Sequence, residues 1–157
     1  MAPAANTSTA TARFLTTDTP ALDVVAAVLH DGAGRVLVTQ RPIGKPLAGF
    51  WEFPGGKLES GESQVQCLVR ELHEELGVEV LPRDCTPMMQ LEHRYPERLV
   101  RLHVWNISQH SGSPMGCEGQ ALRWLAPTEL GSVPLLPADD PIVKCLLDGA
   151  GAGTMKA

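Results

Sequence analysis

Residues 55–78 read GGKLESGESQVQCLVRELHEELGV, and this stretch decides how the rest of the chain is understood. Val65, Leu68, Val69, Leu72 and Leu76 fall at i, i+3, i+4, i+7 and i+11, a single apolar stripe that predicts a helix from about Ser63 to Leu76. Ser63, or the Gly61-Glu62 pair before it, offers a cap at the start, and Gly77 offers a stop. Off the stripe stand Glu71, Glu74 and Glu75, three carboxylates within one turn. Like charges at these spacings destabilise a helix by about 0.2–0.5 kcal/mol per pair. An acidic helix face is ordinarily solvated surface, and Glu74-Glu75 alone would be read that way. Here the acids share a frame with Gly56, Glu62, Arg70 and Gly77, and the apolar stripe holds them outward on a rigid support.

Composition limits what such a face can serve. The chain has 157 residues, 43% hydrophobic and 20% charged, which suits one globular domain with a sizeable core. Its formal charge of −5 gives no field that attracts a nucleic-acid polymer, so a phosphate-bearing ligand would need local cations or metal ions. No apolar run approaches the roughly eighteen residues of a membrane span. Cys67, Cys85, Cys117 and Cys145 form no C-x-x-C pair, and they read as reduced thiols acting as small hydrophobes in a cytoplasmic protein. Residues 1–20, rich in Ala, Thr, Ser and Pro, read as a disordered tail, and residues 149–157 as a flexible one. The folded domain is expected over 21–148.

Around the helix the pattern alternates strands and turns. LDVVAAVLH (22–30) and RVLVTQR (35–41) predict two strands joined by the turn at Asp31-Gly32-Ala33-Gly34. RPIGKPLAGFWEFPGGK (41–57) reads as a loop with a short extended piece near Trp51–Phe53. RLVRLHVWNIS (98–108) is the strongest later strand, ALRWLAP (121–127) another, and ADDPIVKCLL (138–147) a short closing helix. A mixed sheet with one long and one short helix is an α+β arrangement, an α/β/α sandwich.

The spacing of the opening stretch resembles the Nudix box, G-x5-E-x7-R-E-U-x-E-E-x-G-U with U aliphatic. Gly56, Glu62, Arg70, Glu71, Glu74, Glu75 and Gly77 occupy every fixed position, and Leu72 and Val78 the aliphatic ones. A chance match of seven fixed residues is on the order of one in 10⁸ per start position. The resemblance extends to MutT-like members over about Leu22 to Leu147. It implies a Nudix sandwich and an enzyme that hydrolyses a nucleoside triphosphate to the monophosphate and pyrophosphate. It also implies metal ligands at Glu71, Glu74, Glu75 and the Gly56 carbonyl, with a further one at Glu118 in a later loop. Arg70 would hold the glutamates, and Glu62 would support the loop–helix geometry. All-oxygen donors suit Mg²⁺, with Mn²⁺ as a substitute. Either Glu71 or Glu118 would serve as general base.

The same resemblance puts Arg41 and Phe53 beside the base, Lys57 at the phosphates and Arg98 over the nucleotide. Arg41 reads equally as a strand-end cation and Phe53 as a core aromatic, while Trp51 and Trp105 read as packing residues. One position departs from the pattern: Asp139 stands where 8-oxoguanine enzymes of this type carry Asn. An ionised carboxylate only accepts hydrogen bonds, so it would repel guanine O6 unless buried and protonated. It would suit the exocyclic amine of cytosine instead, and it could also be a helix N-cap. Asp139 thus weakens the 8-oxoguanine expectation without removing it, and the substrate the resemblance implies stays an oxidised nucleotide such as 8-oxo-dGTP, with CTP or 5-methyl-dCTP as the alternative. A non-catalytic nucleotide-binding domain is the reading from another class. The chain is expected to act as a monomer or homodimer.

Overall fold

A computed structural model describes residues 20–156, with side-chain surroundings described through Gly149. The N-terminal tail expected over 1–20 lies outside the described residues except for Pro20. Strands β1 (Leu22–Leu29), β4 (Gly55–Lys57), β5 (Cys85–Tyr95) and β6 (Arg98–Ile107) form one sheet in the order β4-β1-β6-β5. This sheet is mixed, because β1 runs parallel to β6 and antiparallel to β4. Strands β2 (Val36–Gln40), β3 (Trp51–Glu52) and β7 (Leu122–Leu125) form a second, antiparallel sheet in the order β3-β2-β7.

The two expected N-terminal strands are present, but they separate into different sheets. Asp31 Oδ1 accepts from the Ala33 and Arg35 amides at 2.8 and 3.1 Å and closes the turn. A single bridge, His30 to Val36, is all the pairing that follows. Both edges of β1 are already taken by β4 and β6, so β2 must find its partners elsewhere.

Helix α1 (Gln64–Leu76) covers one face of the mixed sheet, and α2 (Asp140–Lys156) lies on the other side. Central strand β1 is therefore buried on both faces, which explains its near-continuous apolar sequence. Val25, Ala27 and Leu29 pack with Leu68, Leu72 and Leu76 of α1. Ala26 and Val28 pack with Trp51, Phe53, Leu130 and Ile142. The closing helix continues past Leu147, the end the sequence suggests, through Gly149 to Lys156; no proline interrupts it.

Both ends of α1 are built as the sequence implies. Ser63 and Gln66 form a reciprocal capping box, at 3.1 Å for Gln66 N to Ser63 Oγ and 2.9 Å for Ser63 N to Gln66 Oε1. Gly77 adopts φ 70°, a left-handed conformation open to glycine without strain, and its amide donates to His73 O. The first helical residue is also tied to the sheet. Gln64 Oε1 accepts from Trp105 Nε1 at 2.8 Å, while its amide nitrogen meets His103 Nδ1 at 3.2 Å. His103 in turn bonds Asp23 at 2.9 Å, and that bond is the chief cause holding the Asp23 carboxyl below its ordinary range.

Candidate active site

The acidic face of α1 is organised around one guanidinium. Arg70 grips Glu62 with two bonds, Nε to Oε2 at 2.7 Å and Nη2 to Oε1 at 2.9 Å. Its Nη1 donates to Glu71 Oε1 at 2.7 Å and to Glu74 Oε1 at 3.1 Å. A two-pronged arginine–carboxylate pair is directional as well as strong, so Arg70 fixes the loop before the helix to the helix itself. The hydrogen bond from Arg70 is the largest influence taking the Glu62 carboxyl down to about 2. Glu62 is thus ionised throughout the physiological range and serves as an anchor.

Burial acts on the other acids in the opposite direction. It raises the carboxyl of Glu71, whose side chain is 17% exposed, against the downward pull of Arg70. It raises Glu75 further, to about 8, with Glu71, Glu118 and Glu52 adding repulsion. A cation placed among these groups would reverse both effects at once. Beside them Gly56 is bare, and a Cβ there would displace the Glu71 carboxylate. Oxygen donors, mutual repulsion and a close backbone approach together fit a hard divalent cation. The expected ligands do not yet converge. Among the described residues no three His, Cys, Asp or Glu side chains gather at a single metal-binding point, since Glu71 and Glu74 both lean onto Arg70.

Glu118 is brought to this cluster by the end of the same helix. Met115 N donates to Leu76 O at 2.9 Å and Cys117 N to Glu75 O at 3.0 Å, so the loop docks on the last helical turn. Glu118 is close enough for its charge to act on both Glu71 and Glu75. Cys117 beside it is exposed, unlike the buried Cys67 and Cys85, so the expectation of four packed thiols holds only in part; all four are free.

The expected base-contacting residues are placed unevenly. Arg41 is committed to Glu52, at 3.0 and 3.2 Å, and to Pro46 O at 2.7 Å. Phe53 is 3% exposed and sits in the core with Trp51, as its alternative reading allowed. Asp139 is 4% exposed, and its Oδ2 accepts from Phe53 N at 3.2 Å. Its carboxylate therefore bonds across the molecule to the residue that follows β3 and not to the start of α2. Burial, opposed by the Phe53 amide and assisted by Glu52 and Asp140, pushes the Asp139 carboxyl up to about 7. Lys57 and Arg98 are exposed, Lys57 on β4 and Arg98 in the β5–β6 hairpin, paired there with Tyr95.

Two participants escape the sequence reading. Glu52, an acid between the buried aromatics Trp51 and Phe53, acts by its charge on Glu75, Asp139 and Tyr95 and so lies electrostatically between the acidic cluster of α1 and Asp139. The alternation of W-E-F is the signal that could have exposed it. Tyr95, the single tyrosine of the chain, is half-buried beside Asp139, and burial raises its hydroxyl. Concave regions of about 250 and 510 Å³ lie elsewhere, one at Gln64, His103 and Trp105 and the other at His30, Pro127 and Cys145, and neither includes an expected site residue.

The chain is similar to known proteins over most of its length. A family profile described as the NUDIX domain matches residues 24–145. The CTP pyrophosphohydrolase of Escherichia coli K12 is 41% identical over 126 residues, covering 80% of this chain and 91% of that protein. The 8-oxo-dGTP diphosphatase of the same organism is 32% identical over 122 residues, covering 78% of this chain and 93% of that protein. The solution structure of the E. coli ORF135 protein superimposes with a TM-score of 0.75 at 38% identity, covering 86% of this chain and 94% of that one.

Proposed function

This chain belongs to the Nudix family of hydrolases, and from that premise we propose that it hydrolyses nucleoside triphosphates to the monophosphate and pyrophosphate. The observation that carries the reading is the cluster on α1: Glu71 and Glu74 gathered on an Arg70 that Glu62 anchors, with Gly56 bare beside Glu71. The glutamates and Gly56 would hold Mg²⁺, or Mn²⁺ in its place, with Glu118 joining from its loop. A divalent cation bound there would supply the positive charge an acidic chain lacks for a polyphosphate and would make a neighbouring water more acidic. Glu71 is the first candidate to take the proton of the attacking water, since it lies against Gly56 within the acidic cluster, and Glu118 is the second. The family box is complete, which favours turnover over a binding-only role.

The first-choice substrate is 8-oxo-dGTP or a similarly oxidised nucleotide, which places the activity in cleansing the cytoplasmic nucleotide pool. Asp139 is compatible with this choice through its burial, which raises the carboxyl to about 7 and keeps a protonated fraction able to donate to O6 near neutral pH. The second reading is CTP or 5-methyl-dCTP, favoured by the ionised form of the same residue and by the likeness to the E. coli CTP pyrophosphohydrolase. A monomer or homodimer would suffice for either. Pyrophosphate release across normal, oxidised and methylated triphosphates with Mg²⁺ tests the choice. Highest kcat/KM for 8-oxo-dGTP is expected, and a strong preference for cytidine substrates would transfer the function to the second reading.

A further inference from the structure

The end of α1 does more than stop a helix. Its last carbonyls lack partners within the helix and must find donors elsewhere. His73 O takes the Gly77 amide and Leu76 O the Met115 amide, both at 2.9 Å. Glu75 O takes two donors, Cys117 N at 3.0 Å and Gln120 Nε2 at 3.0 Å. The other end of the Gln120 amide accepts from Glu118 N at 2.9 Å. No flip of that amide satisfies both contacts, because a backbone N–H must face the oxygen and a carbonyl must face the NH₂. One side chain, 45 residues beyond Glu75, thus joins the main chain of Glu75 to the main chain of Glu118.

The surrounding loop is closed tightly enough for this link to matter. Gly119 takes φ 81° and its amide donates to Gly116 O at 2.9 Å, while a Cβ on Gly116 would collide with the Gln120 carbonyl. Met115 and Cys117 tie the front of the loop to the helix, but Glu118 lies beyond both of those anchors. Gln120 gives the Glu118 amide its own hydrogen bond and refers it to the same Glu75 carbonyl that Cys117 meets.

We propose that Gln120 is a positioning residue that sets Glu118 against Glu75 for cation binding, a role that rests on the reading of Glu118 as a metal ligand. Loss of such an outer hydrogen bond weakens metal affinity by about 10-fold or more in comparable sites. Gln120→Met keeps the bulk and removes both bonds. Gln120→Asn keeps the amide but is one methylene too short to span them, and it provides a second variant should the first misfold.

The test is Mn²⁺ titration followed by electron paramagnetic resonance, without substrate, on the wild type, Glu118→Ala, Gln120→Met and the Glu118→Ala/Gln120→Met double variant. Both single changes should weaken Mn²⁺ binding by about 10-fold, and the double variant should bind no more weakly than Glu118→Ala alone. Saturating Mn²⁺ should restore most of the kcat of Gln120→Met. Wild-type affinity in Gln120→Met and Gln120→Asn, or fully additive losses in the double variant, would overturn the role of Gln120. Wild-type affinity in Glu118→Ala would instead overturn the ligand reading, and this inference with it.

Discussion

Substrate preference should change with pH, and Asp139 sets the size of the change. Its carboxyl titrates at about 7, so it is about 90% protonated at pH 6 and about 10% protonated at pH 8. The protonated form can donate to the O6 of an oxidised guanine, whereas the ionised form can only accept, as the exocyclic amine of cytosine requires. Each form therefore suits one substrate, and its population changes about tenfold over this interval in opposite senses. The ratio of kcat/KM for 8-oxo-dGTP to that for CTP should accordingly fall by up to about 100-fold between pH 6 and pH 8. Pyrophosphate release measured for both substrates at constant ionic strength gives the ratio directly. Taking the ratio cancels ionisations of the metal site that affect both substrates alike. Asp139→Asn, whose amide both donates and accepts at every pH, should flatten the dependence and favour 8-oxo-dGTP throughout. A wild-type ratio that stays constant from pH 6 to 8, or a slope that survives Asp139→Asn, would refute the assignment of Asp139 to the base.

The same residue makes a stability prediction. Its folded value of about 7 exceeds the ordinary 3.8, so its contribution is intact below pH 3.8 and is lost as pH rises through 7. Asp139→Asn should then gain on the order of a few kcal/mol relative to the wild type at pH 8 and little at pH 4, read from urea midpoints; equal differences at both would contradict it. Leu72 is fully buried between α1 and the mixed sheet, and Leu72→Ala should cost about 2–5 kcal/mol in chemical denaturation. A loss below 1 kcal/mol would mean that α1 is not packed as described. Gly56→Ala places a Cβ against the Glu71 carboxylate. It should leave the circular dichroism spectrum unchanged while reducing kcat by at least about 100-fold, as misplacement of a reacting group by an ångström can do, and normal turnover would show that the close approach is dispensable.

Much of this could be seen in the sequence, because the decisive information is local. The stripe from Val65 to Leu76, the Ser63 cap and the Gly77 stop lie within one continuous segment, and each acts through neighbours three or four residues away. The carboxylates share that segment, so their common face follows from helical period alone. What stayed hidden depends on partners far along the chain. β1 and β2 look like a hairpin until β6 and β4 claim both edges of β1. Asp139 looks like a cap until the Phe53 amide, 86 residues away, is seen to hold its carboxylate. Gln120 has no local pattern at all, since its meaning lies in the carbonyl of Glu75. Glu52 is intermediate: its neighbours Trp51 and Phe53 mark a strand, but not that Arg41 would pair with it.

Glu71 stands at the centre of the cluster: it touches Arg70, crowds Gly56 and feels the charge of Glu74 and Glu118. Glu71→Gln removes one charge while keeping shape and the capacity to accept from Arg70. Pyrophosphate release from the preferred triphosphate at saturating Mg²⁺ should fall by at least about 10³-fold, the scale of losing a group that both binds metal and accepts a proton, with the thermal midpoint within a few degrees of wild type. Turnover at the wild-type rate in a folded Glu71→Gln protein would contradict the assignment of the α1 carboxylates to catalysis.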